Sequence, residues 1–141
     1  MRASNTLIER LKKSEGCRLT AYQDPKGVWT IGWGHTAGVK SGDKITQYQA
    51  DQMLRDDLRT YEDFVNTQKA VDTQGKFDAV VDFCYNCGIA NYKSSTLKKY
   101  IDTGMKPYEI QQQFMRWVNS GGKFLGGLYT RRIWEANRWT E

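Results

Sequence analysis

Four polar side chains between positions 15 and 35 have the types and spacing that could do chemistry: Glu15, Asp24, Thr30 and His35, the last being the only histidine in the chain. Two carboxyl groups in one short stretch suit glycoside hydrolysis. One stays protonated to donate to the leaving oxygen, and the other stays ionised to activate water or to stabilise an oxocarbenium-like transition state. Such a pair needs different surroundings to separate its two proton affinities. A helix C-terminus disfavours the carboxylate form of Glu15, and partial burial would add to that. Asp24, in a polar turn, is expected to stay charged, and the Thr30 hydroxyl could hold a water. Each residue also has an ordinary role: a Glu before a helix-stopping Gly, an Asp opening a turn, a β-branched Thr in a strand. Spacing alone leaves both readings open.

The elements that must position these residues are legible nearby. Leu7, Ile8 and Leu11 form one stripe of an amphipathic first helix, Thr6 and Glu9 have capping-box spacing, and Gly16 is its expected stop. Helical periodicity then vanishes until about residue 45. Arg18 to Gln23 and Val28 to Trp33 flank Asp24-Pro25-Lys26-Gly27, a type I turn signature that predicts a β-hairpin.

From there the chain is expected to be helical to its end. Thr46 with Gln49 opens a run carrying Met53, Leu54, Leu58, Tyr61, Phe64 and Val65. A second run carries Phe77, Val80, Val81, Cys84 and Tyr85 and stops at Gly88. A third carries Leu97, Tyr100 and Ile101 and stops at Gly104. Pro107 starts a fourth, with Ile110, Phe114, Trp117 and Val118 facing inward before Gly121-Gly122, and the last holds Leu128, Ile133, Trp134 and Trp139. The fold class is therefore α+β in a single domain: an N-terminal helix over 1–14, a hairpin lobe over 15–45 and a larger helical lobe over 46–141, with the cleft expected between sheet and helices.

Composition narrows the function classes. The 141 residues fit one domain, and 39% hydrophobic with 13% aromatic content suffices for a core without disulfides. No window approaches the roughly 18 apolar residues of a membrane-spanning helix, and no apolar signal region precedes Arg10, Lys12 and Lys13. The net charge of +5, concentrated from Met115 to Arg138, suits a polyanionic partner such as nucleic acid, a membrane surface or an anionic wall polymer.

Three cysteines, Cys17, Cys84 and Cys87, cannot form a complete disulfide set, and buried free thiols are expected. The Cys84–Cys87 pair closes a helix rather than opening one, unlike a redox motif, and no histidine joins it at zinc spacing. No metal or other cofactor is expected. Gly32, Gly34 and Ala37 fit a degenerate dinucleotide fingerprint, but no βαβ unit surrounds them. A nucleic-acid-binding reading leaves Glu15, Asp24 and Thr30 unexplained.

The segment from Glu15 to Thr36 resembles the catalytic stretch of the phage-type lysozymes, or endolysins: a Glu, eight residues, an Asp, five residues and a Thr, ending in Thr30-Ile31-Gly32-Trp33-Gly34-His35. Phe77 to Gly88 is similar to that family's central helix with its aromatic-Asn-x-Gly end, Ser95-Thr96-Leu97 matches the element that follows, and Gly127 to Glu135 matches its Gly-Leu-x-x-Arg-Arg-x-x-Glu closing motif.

The resemblance implies a lysozyme-like fold in which Glu15 is the general acid, Asp24 the second carboxylate and Thr30 a water-positioning group. It also implies Asn86 as a sugar contact and His35 as a support for the hairpin and Glu15. Arg131 and Arg132 either support Glu15 electrostatically or pair with Glu135. The implied reaction is hydrolysis of the β-1,4 bond between N-acetylmuramic acid and N-acetylglucosamine in peptidoglycan. The implied actor is a monomer with glycan strands as partner and no specific nucleic acid, resident in the host cytoplasm until lysis. Because the chain starts so near Glu15, no membrane anchor is expected within it; either passage to the wall falls to a separate holin-like protein, or an N-terminal export segment has been removed. A lytic transglycosylase using Glu15 alone and a non-catalytic wall-binding module are the rival readings.

Overall fold

A computed structural model describes residues 1–141. Its elements are α1 (Asn5–Glu15), β1 (Arg18–Gln23), β2 (Trp29–Gly32), α2 (Gln47–Asn66), α3 (Gln74–Cys87), α4 (Ile89–Lys93), α5 (Thr96–Asp102), α6 (Pro107–Phe114), β3 (Asn119–Ser120), β4 (Lys123–Phe124) and α7 (Gly126–Trp139). The chain is α+β, with a small antiparallel hairpin early in a mostly helical sequence. No helix is long and apolar enough to cross a membrane. Two compact units divide it: Asn5–Thr60, and Met1–Ser4 with Tyr61–Glu141.

In the unit 5–60, α1 buries Leu7, Ile8 and Leu11, as the stripe predicts. The helix begins at Asn5, so Thr6 lies inside it and the Thr6–Glu9 pair does not cap it. The two strands pair antiparallel, with Tyr22 opposite Thr30, Gln23 opposite Trp29 and an irregularity between Arg18 and Tyr22. The far edge of β1 is also covered, because Ala21 N donates to Asp43 O and Ile45 N to Leu19 O, each at 2.9 Å. A paired edge leaves fewer open backbone groups on so short a sheet. Helix α2 opens with the reciprocal cap expected of its sequence: Gln49 N donates to Thr46 Oγ1 at 3.1 Å, and Thr46 N donates to Gln49 Oε1 at 2.8 Å.

In the other unit, α3 packs on α7, and α6 packs on both α5 and α7. Thr73 caps α3 by accepting from Lys76 N, and Ser95 caps α5 by accepting from Lys98 N. Phe83 sits at the centre of an edge-to-face cluster, with ring centroids 5.2 Å from Trp117, 6.0 Å from Phe114 and 6.1 Å from Tyr92. Asp78, fully buried, accepts from Ser4 and from Arg138, which ties the first residues of the chain to α3 and α7.

Two departures from the sequence expectation fall in this unit. The short helix α4 was not foreseen. The fourth helical run ends at Phe114, and residues 119–124 form a second small hairpin instead of continuing toward the last helix. Gly121 and Gly122 have φ of +57° and +80°, the left-handed pair that a two-residue hairpin turn requires.

Candidate active site

The unit 5–60 holds Glu15, Asp24, Thr30 and His35 together. Glu15 is the last residue of α1 and is half-buried. The Trp33–Gly34 corner after β2 comes back against it. A Cβ built on Gly34 would stand 3.0 Å from Glu15 Oε2, and Gly34 has φ of +91°. Only glycine fits both that approach and that backbone conformation without strain.

Asp24 organises the turn as the sequence predicts. Its carbonyl accepts from Gly27 N at 2.9 Å, and its Oδ1 accepts from Lys26 N at 2.8 Å and Val28 N at 2.9 Å. Both side-chain bonds go to one oxygen. On the returning strand the Thr30 hydroxyl donates to the Val28 carbonyl at 3.0 Å, and Thr30 is buried. The backbone of Val28 thus fixes Asp24 through its N–H and Thr30 through its C=O. With its proton committed to that carbonyl, the Thr30 oxygen is left to accept, which is what holding a water requires.

His35 closes the same corner. Its backbone bridges to Ile31, with both N···O distances 2.9 Å. Its Nδ1 lies 2.8 Å from Asp57 Oδ2 on α2, and its Nε2 lies 2.9 Å from Ala37 O. Both ring nitrogens are therefore occupied by oxygens from α2 and the following loop, and the ring acts as a brace for the hairpin's return. Asp57 was not singled out in the sequence. It adjoins the buried Leu58 in an amphipathic run, and nothing local marks it as a partner for a histidine 22 residues away.

Asn86, Arg131 and Arg132 lie in the other unit. Arg132 Nη2 donates to Asn86 Oδ1 at 2.7 Å and to Glu135 Oε2 at 3.0 Å, and Arg132 Nη1 meets Cys87 Sγ at 2.7 Å. Arg132 Nε also lies 2.7 Å from Glu135 Oε1, at an angle that makes no hydrogen bond. Arg131 grips Asp82 of α3 with two parallel bonds, Nε to Oδ2 at 3.0 Å and Nη2 to Oδ1 at 2.9 Å. Asp82 is the partner that sequence reasoning missed. It stands among the apolar residues of a helix buried almost all round, where periodicity cannot pick out an ion-pair site.

Burial would raise the Asp82 carboxyl, but the hydrogen bond from Glu135 and the Arg131 guanidinium outweigh it and hold it low. Glu135 goes the other way, pushed well up by burial and by the Asp82 carboxylate beside it. Burial also raises the thiols of Cys84 and Cys87, against the pull of Arg132 on Cys87, so both stay protonated. All three cysteines are free, and no group of His, Cys, Asp and Glu side chains could hold a metal ion.

The phage lysozyme family model matches residues 12–135, and the chain belongs to that family. It is 40% identical over 139 residues to an endolysin of Bacillus phage PZA, covering 96% of this chain and 54% of the relative. The chain thus spans about half the length of that relative. It is 38% identical to an endolysin of Acyrthosiphon pisum secondary endosymbiont phage 1, covering 94% of this chain and 93% of the relative. Among solved structures, the muramidase domain of SpmX from Asticaccaulis excentricus superposes with a TM-score of 0.87 at 33% identity, covering 99% of this chain and 98% of that one. The fold is lysozyme-like.

Proposed function

We propose that this protein is a muramidase that hydrolyses the β-1,4 bond between N-acetylmuramic acid and N-acetylglucosamine in peptidoglycan and so lyses the host cell. The observation that carries the reading is the paired anchoring of Asp24 and Thr30 on the backbone of Val28, in a unit that also holds Glu15 against Gly34. The names of the relatives support it, since they include endolysins and a muramidase domain.

In this reading Glu15 gives its proton to the leaving glycosidic oxygen. A water accepted by Thr30 attacks the anomeric carbon, and Asp24 takes the proton that the water sheds. Asn86 contacts sugar through Nδ2, because its Oδ1 is already held by Arg132. Arg131 and Arg132 act on α3 and α7 through Asp82 and Glu135, and His35 braces the corner that backs Glu15. The protein works as a monomer on glycan strands, waits in the host cytoplasm, and reaches the wall when a separate holin-like protein opens the membrane.

Product analysis tests the reading against a lytic transglycosylase. Digestion of purified peptidoglycan in ¹⁸O-water should release fragments ending in reducing N-acetylmuramic acid that carry one solvent oxygen. Fragments ending in an anhydro-sugar with no solvent oxygen would replace hydrolysis by intramolecular transfer.

A further inference from the structure

Three stretches of chain border Glu15: the last turn of α1, the residues just after it, and the Trp33–Gly34 corner that lies against its carboxyl. Each sends one side chain toward the same pair of residues on the first turns of α2. Trp33 Nε1 donates to Asp51 Oδ1 at 2.8 Å. Lys12 Nζ lies 3.6 Å from that oxygen and 5.4 Å from the centroid of the Trp33 ring. Gln47, one turn before Asp51, donates through Nε2 to the same oxygen at 3.2 Å and meets Cys17 Sγ at 3.7 Å.

One carboxylate oxygen therefore gathers an indole N–H, an ammonium and an amide. The Trp33 hydrogen bond holds the Asp51 carboxyl below its ordinary range, with Gln47 and Lys12 assisting against partial burial. The position next to Trp33 is confined, because a Cβ added at Gly34 would stand 3.0 Å from Glu15 Oε2. If the indole loses its anchor, the wall behind the carboxyl loses its place.

We propose that Asp51 is a positioning residue for the general acid. By holding Trp33 and Lys12 directly, and Cys17 through Gln47, it fixes the three segments that flank the Glu15 carboxyl. The proposal rests on the muramidase reading above. A displacement of about 1 Å at a reacting group can cost on the order of a hundredfold in rate without contact between the altered residue and substrate. Such a role acts on turnover rather than on substrate capture.

The test compares the full chain with Asp51→Ala, Asp51→Asn, Trp33→Phe and the Trp33→Phe/Asp51→Ala double variant. Initial rates of clearing are measured over a range of purified murein concentrations, well below each variant's melting temperature. Asp51→Ala and Trp33→Phe should each lower kcat by about ten- to a hundredfold, with KM changed by less than about threefold. The double variant should be no slower than Asp51→Ala alone, since both changes break one link. Asp51→Asn keeps an acceptor for the indole and should regain most of the lost kcat.

An unchanged kcat in Asp51→Ala, a loss confined to KM, losses that multiply in the double variant, or an Asn variant as slow as the Ala one would each overturn the proposal. A variant that does not fold leaves Trp33→Phe and Asp51→Asn to decide it. The parent protein and Glu15→Gln run beside them. Clearing by the parent but not by Glu15→Gln upholds Glu15-dependent cleavage of murein whatever the Asp51 variants do, and an inert parent removes the muramidase reading itself.

Discussion

In the proposed mechanism Asp24 has two roles for one carboxyl group, and its two oxygens allow them to be separated. Oδ1 holds the hairpin turn through the Lys26 and Val28 N–H groups, so chemistry falls to the other oxygen and to the charge. Asp24→Asn keeps a carbonyl oxygen for both N–H groups. It should melt close to the parent temperature while losing turnover by about 10²–10⁴, the usual scale for a positioned acid or base. Asp24→Ala should lose the same activity and also about 1–2 kcal/mol of stability, since two backbone donors lose their acceptor. Chemical denaturation of both variants beside the clearing assay checks this. At this scale much was legible. Asp-Pro-x-Gly encodes the turn locally, and Thr30 follows at strand spacing. The tight approach of Gly34 to Glu15 and the Asp57 partner of His35 were not legible, because both arise between segments distant in sequence and depend on how α1 and α2 meet the hairpin's return.

Between α3 and α7 buried charged groups stand beside the apolar packing. Asp82, Arg131, Arg132 and Glu135 are all buried, and their arrangement makes stability depend on pH in two opposed ways. Asp82 is held low, so its contribution is present above its ordinary value of 3.8 and lost as pH falls through the lower folded value. Glu135 is raised well above 4.5, so its contribution is complete below that value and lost as pH rises through the folded one. Glu135→Gln mimics the protonated form. Its melting temperature should therefore fall less steeply than the parent's from mildly acidic to alkaline pH. Equal slopes would mean that Glu135 is ionised in the folded protein. Arg131→Met, by contrast, takes away the guanidinium that grips Asp82, leaving it the hydrogen bond from Glu135 and the charge of Arg132, and should cost about 3–5 kcal/mol in denaturant unfolding at neutral pH. The helices were legible where a cap or a stop signal was read, as at Thr46, Gly88 and Gly104, whereas the caps at Thr73 and Ser95 came only with the structure. The second hairpin was not legible: Trp117 and Val118 stand at helical spacing after Phe114, yet Trp117 stacks on Phe83 and Val118 O accepts from Leu125 N, which draws the chain out of the helix.

Across the whole molecule, the sequence motifs, the α+β architecture and the family match over residues 12–135 point the same way. The net charge of +5 fits an anionic polymer but selects no partner by itself. The choice of peptidoglycan comes from the carboxyl pair and the family. The relatives differ in extent, one being about twice the length that this chain matches and another nearly coextensive with it, so the shared part is the unit pair described above. What the account needs most is that Glu15 supplies the proton to the departing sugar. The initial rate at which purified murein is cleared by Glu15→Gln, relative to the parent at matched fold and melting temperature, tests that need most directly. The predicted result is a fall of at least about a thousandfold, within the range that loss of a general acid produces, with murein still bound in a sedimentation assay. Clearing within about tenfold of the parent rate would contradict it, because so small a loss leaves no room for an essential proton donor at that position.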